Sequence, residues 1–465
     1  MLKYNPRIFL LMLIILLSIT ITGCSKEEPR DPNTIWIVTE LSTQDGMNGQ
    51  AERVIKSFEK AHEGITVELE VLPKEGQERE VRLEKLRAAI MSGKGPDGYL
   101  LPSDTNGAAP LFLDINQAMR SGLFSDISNY YNADSALDKD GLEDTIMEAG
   151  VIDGARYVLP LRYDFPVIYA DAELLSSSGL NTDRLSSSTY DFWNEIAENG
   201  DITWVLGATS DRSEILGRFT YFSQIIDYDT SNFVNEEVLN DFLTSYQHIT
   251  AMRGEGYSSF VGNIVSYLGT KQFFDESHPM EVSTFSSAYE YAAISKCTGQ
   301  EVTMIPLRTM EGDILATVTY FAAVGAGSNN PEMTYAFLRE FLSETCQWEQ
   351  NRDTTFRYAT GLIADGWPVR SVGAADPLWQ VCKKINKNRA DNDPMIGVLM
   401  SDADLPILNI TVDKVRFGNR YLEYQILGAK LSMLNDAYTG EATNVDIPKL
   451  IDEIYVELEH HLAEG

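Results

Sequence analysis

The chain has 465 residues, 69 of them acidic and 37 basic, for a formal charge of −32, with 44% hydrophobic residues and four cysteines. At about 150 residues per domain, the length predicts two or three domains with sizeable cores. The acidity excludes nucleic acid and polybasic lipid contacts as partners, the apolar content excludes disorder, and four cysteines are too few for a disulfide scaffold.

The N-terminus reads as a processing signal. Lys3 and Arg7 precede an unbroken apolar run from Ile8 to Leu17. As a helix, ten residues cover about 15 Å, half of a bilayer core of ~30 Å, so the run is a secretory segment and not a permanent span. It ends in Ile21-Thr22-Gly23-Cys24, which resembles the bacterial lipobox. That resemblance implies cleavage after Gly23 and lipidation of Cys24, and its two or three acyl chains suffice for stable anchoring. Removing Lys3 and Arg7 with the leader takes the charge from −32 to −34. Residues 24–33 then form a polar tether, and Cys297, Cys346 and Cys382 remain. Three is odd, so at least one thiol is free; all three are expected as buried small hydrophobes, with one disulfide among them left open.

Beyond the tether, strand and helix alternate. Ile35 to Val38 is a buried-strand run, and Val54, Ile55 and Phe58 share one helix face. Ile65, Val67, Leu69 and Val71 alternate at period two, and Leu83, Leu86 and Ile90 mark a helix over 78–91. Gly93-Lys94-Gly95-Pro96 stops that helix, and Tyr99 to Leu101 is the next strand. This order predicts a parallel sheet flanked by helices. Residues 157–170 are rich in β-formers but interrupted by Pro160 and Pro166. Asn235 can cap a helix carrying Val238, Phe242 and Tyr246. Strand-like segments follow at 302–306 and 314–324. Asn330-Pro331-Glu332 then starts a helix, with cap, first-turn proline and dipole-facing glutamate in order. A last helix begins near Asp446 and presents Leu450, Ile451 and Ile454 on one face.

Catalytic signatures are scarce. No zinc-protease, nucleophile-elbow, phosphate-loop or dinucleotide motif occurs, and five scattered histidines form no metal pattern. Asp138-Lys139-Asp140-Gly141 fails as a calcium loop, because Ala136 stands where the first aspartate belongs. No catalytic residue, cofactor or metal is expected.

The order of segments resembles extracellular solute-binding proteins of the maltose-binding type, the lipoprotein receptors of ABC importers. The likeness rests on Glu84 to Asp97, a helix, small-residue stop and Pro-Asp; on Gly154 to Leu161 followed by Val167-Ile168-Tyr169; and on Thr189 to Glu195. It is sharpest at Asn330 to Leu338, followed by Gly366-Trp367-Pro368-Val369-Arg370. Gly98 after Pro96-Asp97 and the region 211–222 depart from the pattern. The resemblance implies an α/β, two-lobed, type II periplasmic-binding-protein-like fold with a hinge between lobes. Crossings are placed near Leu161 to Pro166, Thr317 to Phe321 and Thr360 to Trp367. The organisation is then a signal peptide (1–23), a lipidated tether (24–33), an N-lobe (34–162 plus 320–362) and a C-lobe (163–319 plus 363–465).

Ligands of open α/β sheets sit at the carboxyl ends of strands. With the crossings implied by the resemblance, that rule selects Asp45, Asp104, Tyr163, Asp164, Tyr320, Trp367 and Arg370 as ligand-binding candidates. Carboxylates accept paired hydroxyl protons, and an aromatic face covers the C–H face of a sugar. The expected function is a monomeric, lipid-anchored receptor on the outer face of the cell membrane. It would deliver a small polar ligand, a sugar or oligosaccharide, to an ABC permease. The same fold with a peptide, polyamine or other metabolite is the alternative, and an extracellular lipid-anchored hydrolase the second.

Overall fold

The computed structural model describes residues 31–40, 47–103, 105, 108–188, 302–309, 311–343, 366–370 and 410–418, with short pieces at 191–192, 194–195, 198, 226–227, 232–233, 280–285, 346–347, 433, 446, 449–450, 452–453, 456 and 460. The helix expected after Asn235, the 211–222 region, Cys24, Cys297 and Cys382 lie outside these residues.

The first half follows the periodicity closely. β1 (Thr34–Thr39) buries Ile35, Ile37 and Val38 completely. α1 (Met47–Ala61) returns the chain to β2 (Thr66–Val71), which pairs parallel to β1. α2 (Gly76–Met91) buries Leu83 and Leu86 and leads into β3 (Gly98–Pro102), parallel to β1 on its other side. Each fully buried aliphatic side chain contributes about 1.5–3 kcal/mol relative to exposure.

Short helices α3 (Ile115–Arg120), α4 (Ser128–Ala133) and α5 (Asp144–Glu148) follow. A two-residue hairpin then joins β4 (Val151–Ile152) to β5 (Ala155–Arg156). Its turn residues Asp153 and Gly154 both have positive φ (53° and 79°), the Asp-Gly chemistry that matches strand twist.

β6 (Val158–Asp171) carries the architecture. It runs 14 residues, all buried, without a break at Pro160 or Pro166. From Val158 to Asp164 it pairs antiparallel with β11 (Leu315–Val324). From Phe165 to Asp171 it pairs antiparallel with β9 (Met280–Phe285) and β10 (Val302–Pro306) instead. After β6 and before β9 come α6 (Ala172–Ser177), α7 (Thr182–Leu185) and the small β7 (Ile226–Asp227) and β8 (Asn232–Phe233) hairpin. β11 continues the first sheet by pairing antiparallel with β3, so the sheet is mixed and not parallel throughout. β12 (Trp367–Pro368) lies against β6, and β13 (Lys414–Phe417) runs parallel to β11.

α8 (Pro331–Leu338) begins as its sequence requires. Asn330 Oδ1 accepts from the Met333 N–H at 3.3 Å, and Pro331 occupies the first turn. It is followed by a 3₁₀ turn, Arg339–Leu342. Leu450 donates to the Asp446 carbonyl at 3.0 Å, a helical bond in the expected last helix.

The Pro-Asp-Gly segment is explained by packing. Asp97, 1% exposed, accepts at Oδ2 from the Trp36 N–H (3.0 Å) and at Oδ1 from the Asn329 N–H (2.9 Å) and Ser328 Oγ (3.0 Å). One carboxylate thus joins β1, β3 and the approach to α8. A Cβ on Gly98 would lie 2.8 Å from Ile37 Cδ1, 2.9 Å from Thr334 Cγ2 and 3.2 Å from Leu338 Cδ1. Glycine is what lets α8 cross β3 at this distance.

Candidate functional site

The parallel strands β1 and β3 end beside the crossing strands β6 and β11. At the end of β1, Thr39 Oγ1 donates to the Leu100 carbonyl at 2.7 Å and sits 3.4 Å from the Tyr320 hydroxyl. Glu40 follows, its Oε2 accepting from Arg79 Nη2 at 2.8 Å. Burial pushes the Glu40 carboxyl above its usual value, with the Arg79 charge opposing. At the end of β3, the Ser103 N–H donates to the Thr319 carbonyl at 3.0 Å, and its Oγ donates to the Val318 carbonyl and accepts from the Gly418 N–H. Ser103 therefore ties the ends of β3, β11 and β13 together.

Strand alternation sends Arg162 and Asp164 to one face of β6 and Tyr163 to the other. Arg162 is completely buried, and its Nη2 donates to the Gln347 carbonyl at 3.0 Å. Burial lowers it to about 9, so it stays charged at neutral pH. Asp164 is 7% exposed and pairs in register with Thr317 of β11. Tyr163 is buried, and desolvation, then the nearby Glu143 charge, push its phenol well above the usual range. Tyr320 is likewise raised by burial, and its hydroxyl donates to the Leu100 carbonyl at 3.1 Å. Both phenols are neutral hydrogen-bonding groups at physiological pH.

The third segment brings Trp367 into register with Tyr163 and Pro368 with Arg162. The Trp367 ring lies 5.0 Å from that of Phe285, which stacks on Phe165 at 5.6 Å. Arg370 is held on several sides. Its Nε donates to the Leu342 carbonyl (2.9 Å), Nη1 to Asp138 Oδ2 (3.0 Å) and Nη2 to the Asp138 carbonyl (3.0 Å). Gln347 completes this framework. Its Nε2 donates to the Phe341 carbonyl at 2.7 Å and the Leu161 carbonyl at 3.3 Å.

Of the residues selected from sequence, Tyr163, Asp164 and Trp367 are brought together, with Tyr320 one strand away on β11. Arg370 is two residues past β12, engaged with the 138–142 loop. Asp45 and Asp104 lie outside the described residues. Sequence reasoning passed over Glu40, Glu143 and Gln347. Glu40 directly follows a strand, so the carboxyl-end rule reaches it. Glu143 is half-buried, its N–H donating to the Val369 carbonyl at 2.8 Å, and burial followed by the adjacent Asp144 pushes its carboxyl up. No local signal marks Glu143 or Gln347. Cys346 is buried, at 5% exposure. Among the described residues, no cluster of three histidine, cysteine, aspartate or glutamate side chains is placed to hold a metal, and no helix is long and apolar enough to cross a membrane.

These residues put a buried carboxylate, two neutral phenols and aromatic rings close to the point where β6 changes partners, groups that can hold a polar ligand. Comparisons agree with the fold. The solved structures similar to this chain include an extracellular solute-binding protein family 1 member from Alicyclobacillus acidocaldarius, 12% identical over 92% of this chain and 98% of the other, with a TM-score of 0.52. The cyclic alpha-maltosyl-1,6-maltose binding protein of Arthrobacter globiformis is 14% identical over 93% and 99%, also at 0.52. A protein of the thermophile Caldanaerobius polysaccharolyticus, solved in work on xylan utilization, is 12% identical over 92% and 99%, at 0.50. No curated protein matches the chain by sequence. The architecture is thus the two-lobed α/β fold of solute-binding proteins. The model for bacterial extracellular solute-binding proteins matches residues 42–345, well over half of the chain, and the chain belongs to that family.

Proposed function

We propose that this protein is a lipid-anchored receptor on the outer face of the cell membrane that captures a sugar or oligosaccharide and passes it to an ABC permease. The observation that carries the reading is the course of β6. Its partners change between Asp164 and Phe165, so a buried carboxylate and its neighbouring phenol stand where one sheet gives way to the other. A ligand gripped there touches both bodies, and its binding energy favours the closed arrangement. Asp164 accepts ligand hydroxyl protons, with Asp45 and Asp104 as the further carboxylates expected from the sequence, while Tyr163 faces the other side of β6. Tyr320, Trp367 and Arg370 hold the crossing segments in place around them. The carbohydrate assignment draws support from the Arthrobacter protein's named ligand and the xylan context of the Caldanaerobius protein. The lobes are 34–162 plus 320–362 and 163–319 plus 363–465. No catalytic step is assigned.

The test is a thermal-shift screen of the chain purified from detergent-solubilised membranes, against mono- and oligosaccharides, amino acids, peptides and polyamines. A ligand at 100 times its dissociation constant adds about 2.7 kcal/mol of stability. A shift with a carbohydrate is expected. A shift with only a peptide or polyamine overturns the sugar assignment, and turnover of the hit overturns the receptor reading. Intact-mass spectrometry of the same preparation checks the anchor: cleavage after Gly23 with a diacylated Cys24 is expected, and an unmodified Cys24 refutes it.

A further inference from the structure

The chain enters the fold at one end of the first sheet. The Thr34 N–H donates to the Asp31 carbonyl at 2.9 Å, and the Asn33 carbonyl accepts from the Thr66 N–H, also at 2.9 Å. Residues 31–33 are thereby fixed beside the start of β2. Because β1, β2 and β3 run parallel, their amino ends lie on this side, with the turn from α1 into β2 (residues 60–65) and the turn from α2 into β3 (residues 91–96). The carboxyl ends, where the candidate site lies, are on the other side. Six residues of β2 span about 20 Å and sixteen of α2 about 24 Å, which sets the separation of the two ends.

We propose that this amino-end face, residues 31–33, 60–65 and 91–96, is the surface that rests against the phospholipid bilayer and holds the candidate site a lobe height away from the lipid, given the lipid-anchored Cys24 proposed above and whatever the ligand. Two independent observations carry it. The first is reach. Seven residue steps separate Cys24 from Asp31, and a fully extended chain covers at most about 25 Å over them. Bringing the carboxyl ends to the bilayer uses nearly all of that reach, drawn taut along the side of the lobe at a cost in conformational entropy. The amino ends reach the bilayer with slack to spare. The second observation is charge. On the amino-end turns the exposed charges cancel, Lys60 and Lys94 against Asp31 and Glu63, and Met91 beside them is 78% exposed. Over residues 74–80 at the carboxyl end, exposed Lys74 stands against exposed Glu75, Glu78 and Glu80, while Arg79 is buried on Glu40. An anionic leaflet repels the second end and tolerates the first.

The experiment reads height above the bilayer. The full chain is purified with its anchor from detergent-solubilised membranes and reconstituted into phosphatidylcholine–phosphatidylglycerol vesicles that carry an energy-transfer acceptor on the lipid headgroup. A donor dye is carried on p-acetylphenylalanine at one exposed position at a time: Lys60 or Lys74, which bracket β2, and Ser92 or Gln77, which bracket α2. Transfer is expected to be severalfold faster from Lys60 than from Lys74, and from Ser92 than from Gln77. The second pair keeps the test decisive if a label in the first disturbs folding, which the unfolding transition of each labelled chain checks. Intact-mass spectrometry of the same preparation separates the two ways of failing. With Cys24 diacylated, equal transfer within a folded pair, or faster transfer from Lys74 or Gln77, overturns the orientation and leaves the anchor standing. An unmodified Cys24 overturns the anchor and the orientation with it.

Discussion

Replacing Asp97 by alanine tests how the first lobe is held together. Its carboxylate is 1% exposed and accepts hydrogen bonds from the Trp36 N–H at 3.0 Å, the Asn329 N–H at 2.9 Å and Ser328 Oγ at 3.0 Å. Bonds to a charged acceptor are worth about 1.5–3 kcal/mol each. Their sum is an upper bound, because removing the charge also removes its desolvation cost. Alanine strands two backbone N–H groups and leaves the Ser328 hydroxyl with Thr334 Oγ1 at 3.3 Å, so the expected net loss is about 3–5 kcal/mol. Asp97→Asn keeps one acceptor oxygen and the shape but turns an NH₂ toward a donor, and should lose about 2–3 kcal/mol. Urea unfolding measures both. With a slope of about 3 kcal/mol/M, alanine moves the midpoint down by at least roughly 1 M. Hydrogen exchange should localise the damage to β1 and the start of α8. An alanine variant within about 1 kcal/mol of the parent, or an asparagine variant as damaged as alanine, refutes the assignment of Asp97 as the staple.

Gly98→Ala is expected to lose about 1–3 kcal/mol, because its methyl meets Ile37 Cδ1 at 2.8 Å and Thr334 Cγ2 at 2.9 Å; the same denaturation assay reads it. Arg370→Lys should lose about 2–4 kcal/mol by abandoning the Leu342 and Asp138 carbonyls. Asp138→Asn should stay within about 1 kcal/mol of the parent, since the Asp138 side chain is 70% exposed. Glu40 gives a pH signature. Its carboxyl is raised by burial, so above the usual 4.5 the folded state holds a proton that the unfolded state has lost. That contribution is complete below 4.5 and fades as pH rises through the folded-state value, so stability falls across this window. Glu40→Gln should flatten the slope in urea midpoints measured from pH 4 upward, and an unchanged slope assigns it to other groups.

Much of the first lobe is legible in the chain because its signals are local. Ile35 to Val38, the α2 stripe of Leu83 and Leu86, and the Asn330-Pro331 start each depend on neighbours within a turn or two. The prolines of β6 misled for the same reason. Pro160 and Pro166 suggest interruptions, yet the strand runs through both. Pro160 stands beside the β6–β11 register shift, where a missing N–H is tolerated, and the Pro166 carbonyl still accepts from the Leu307 N–H at 2.9 Å. The parallel sheet inferred from alternation holds for β1, β2 and β3 but not for β11, whose antiparallel partner lies far away in sequence.

The candidate site divides along the same line. Tyr163, Asp164 and Trp367 were reachable as residues of crossing segments implied by the resemblance. That Arg370 engages Leu342, 28 residues away, and Asp138, 232 away, was not. By itself the sequence determined the acidic composition, the early β–α alternation and the helix caps, since these follow from composition and short-range periodicity. Only the tertiary structure decided where β6 changes partners, which carboxylates are buried, and why 98 must be glycine. Those properties belong to the meeting of segments far apart in the chain (Arg162 against Gln347, 185 residues away), which no local pattern records.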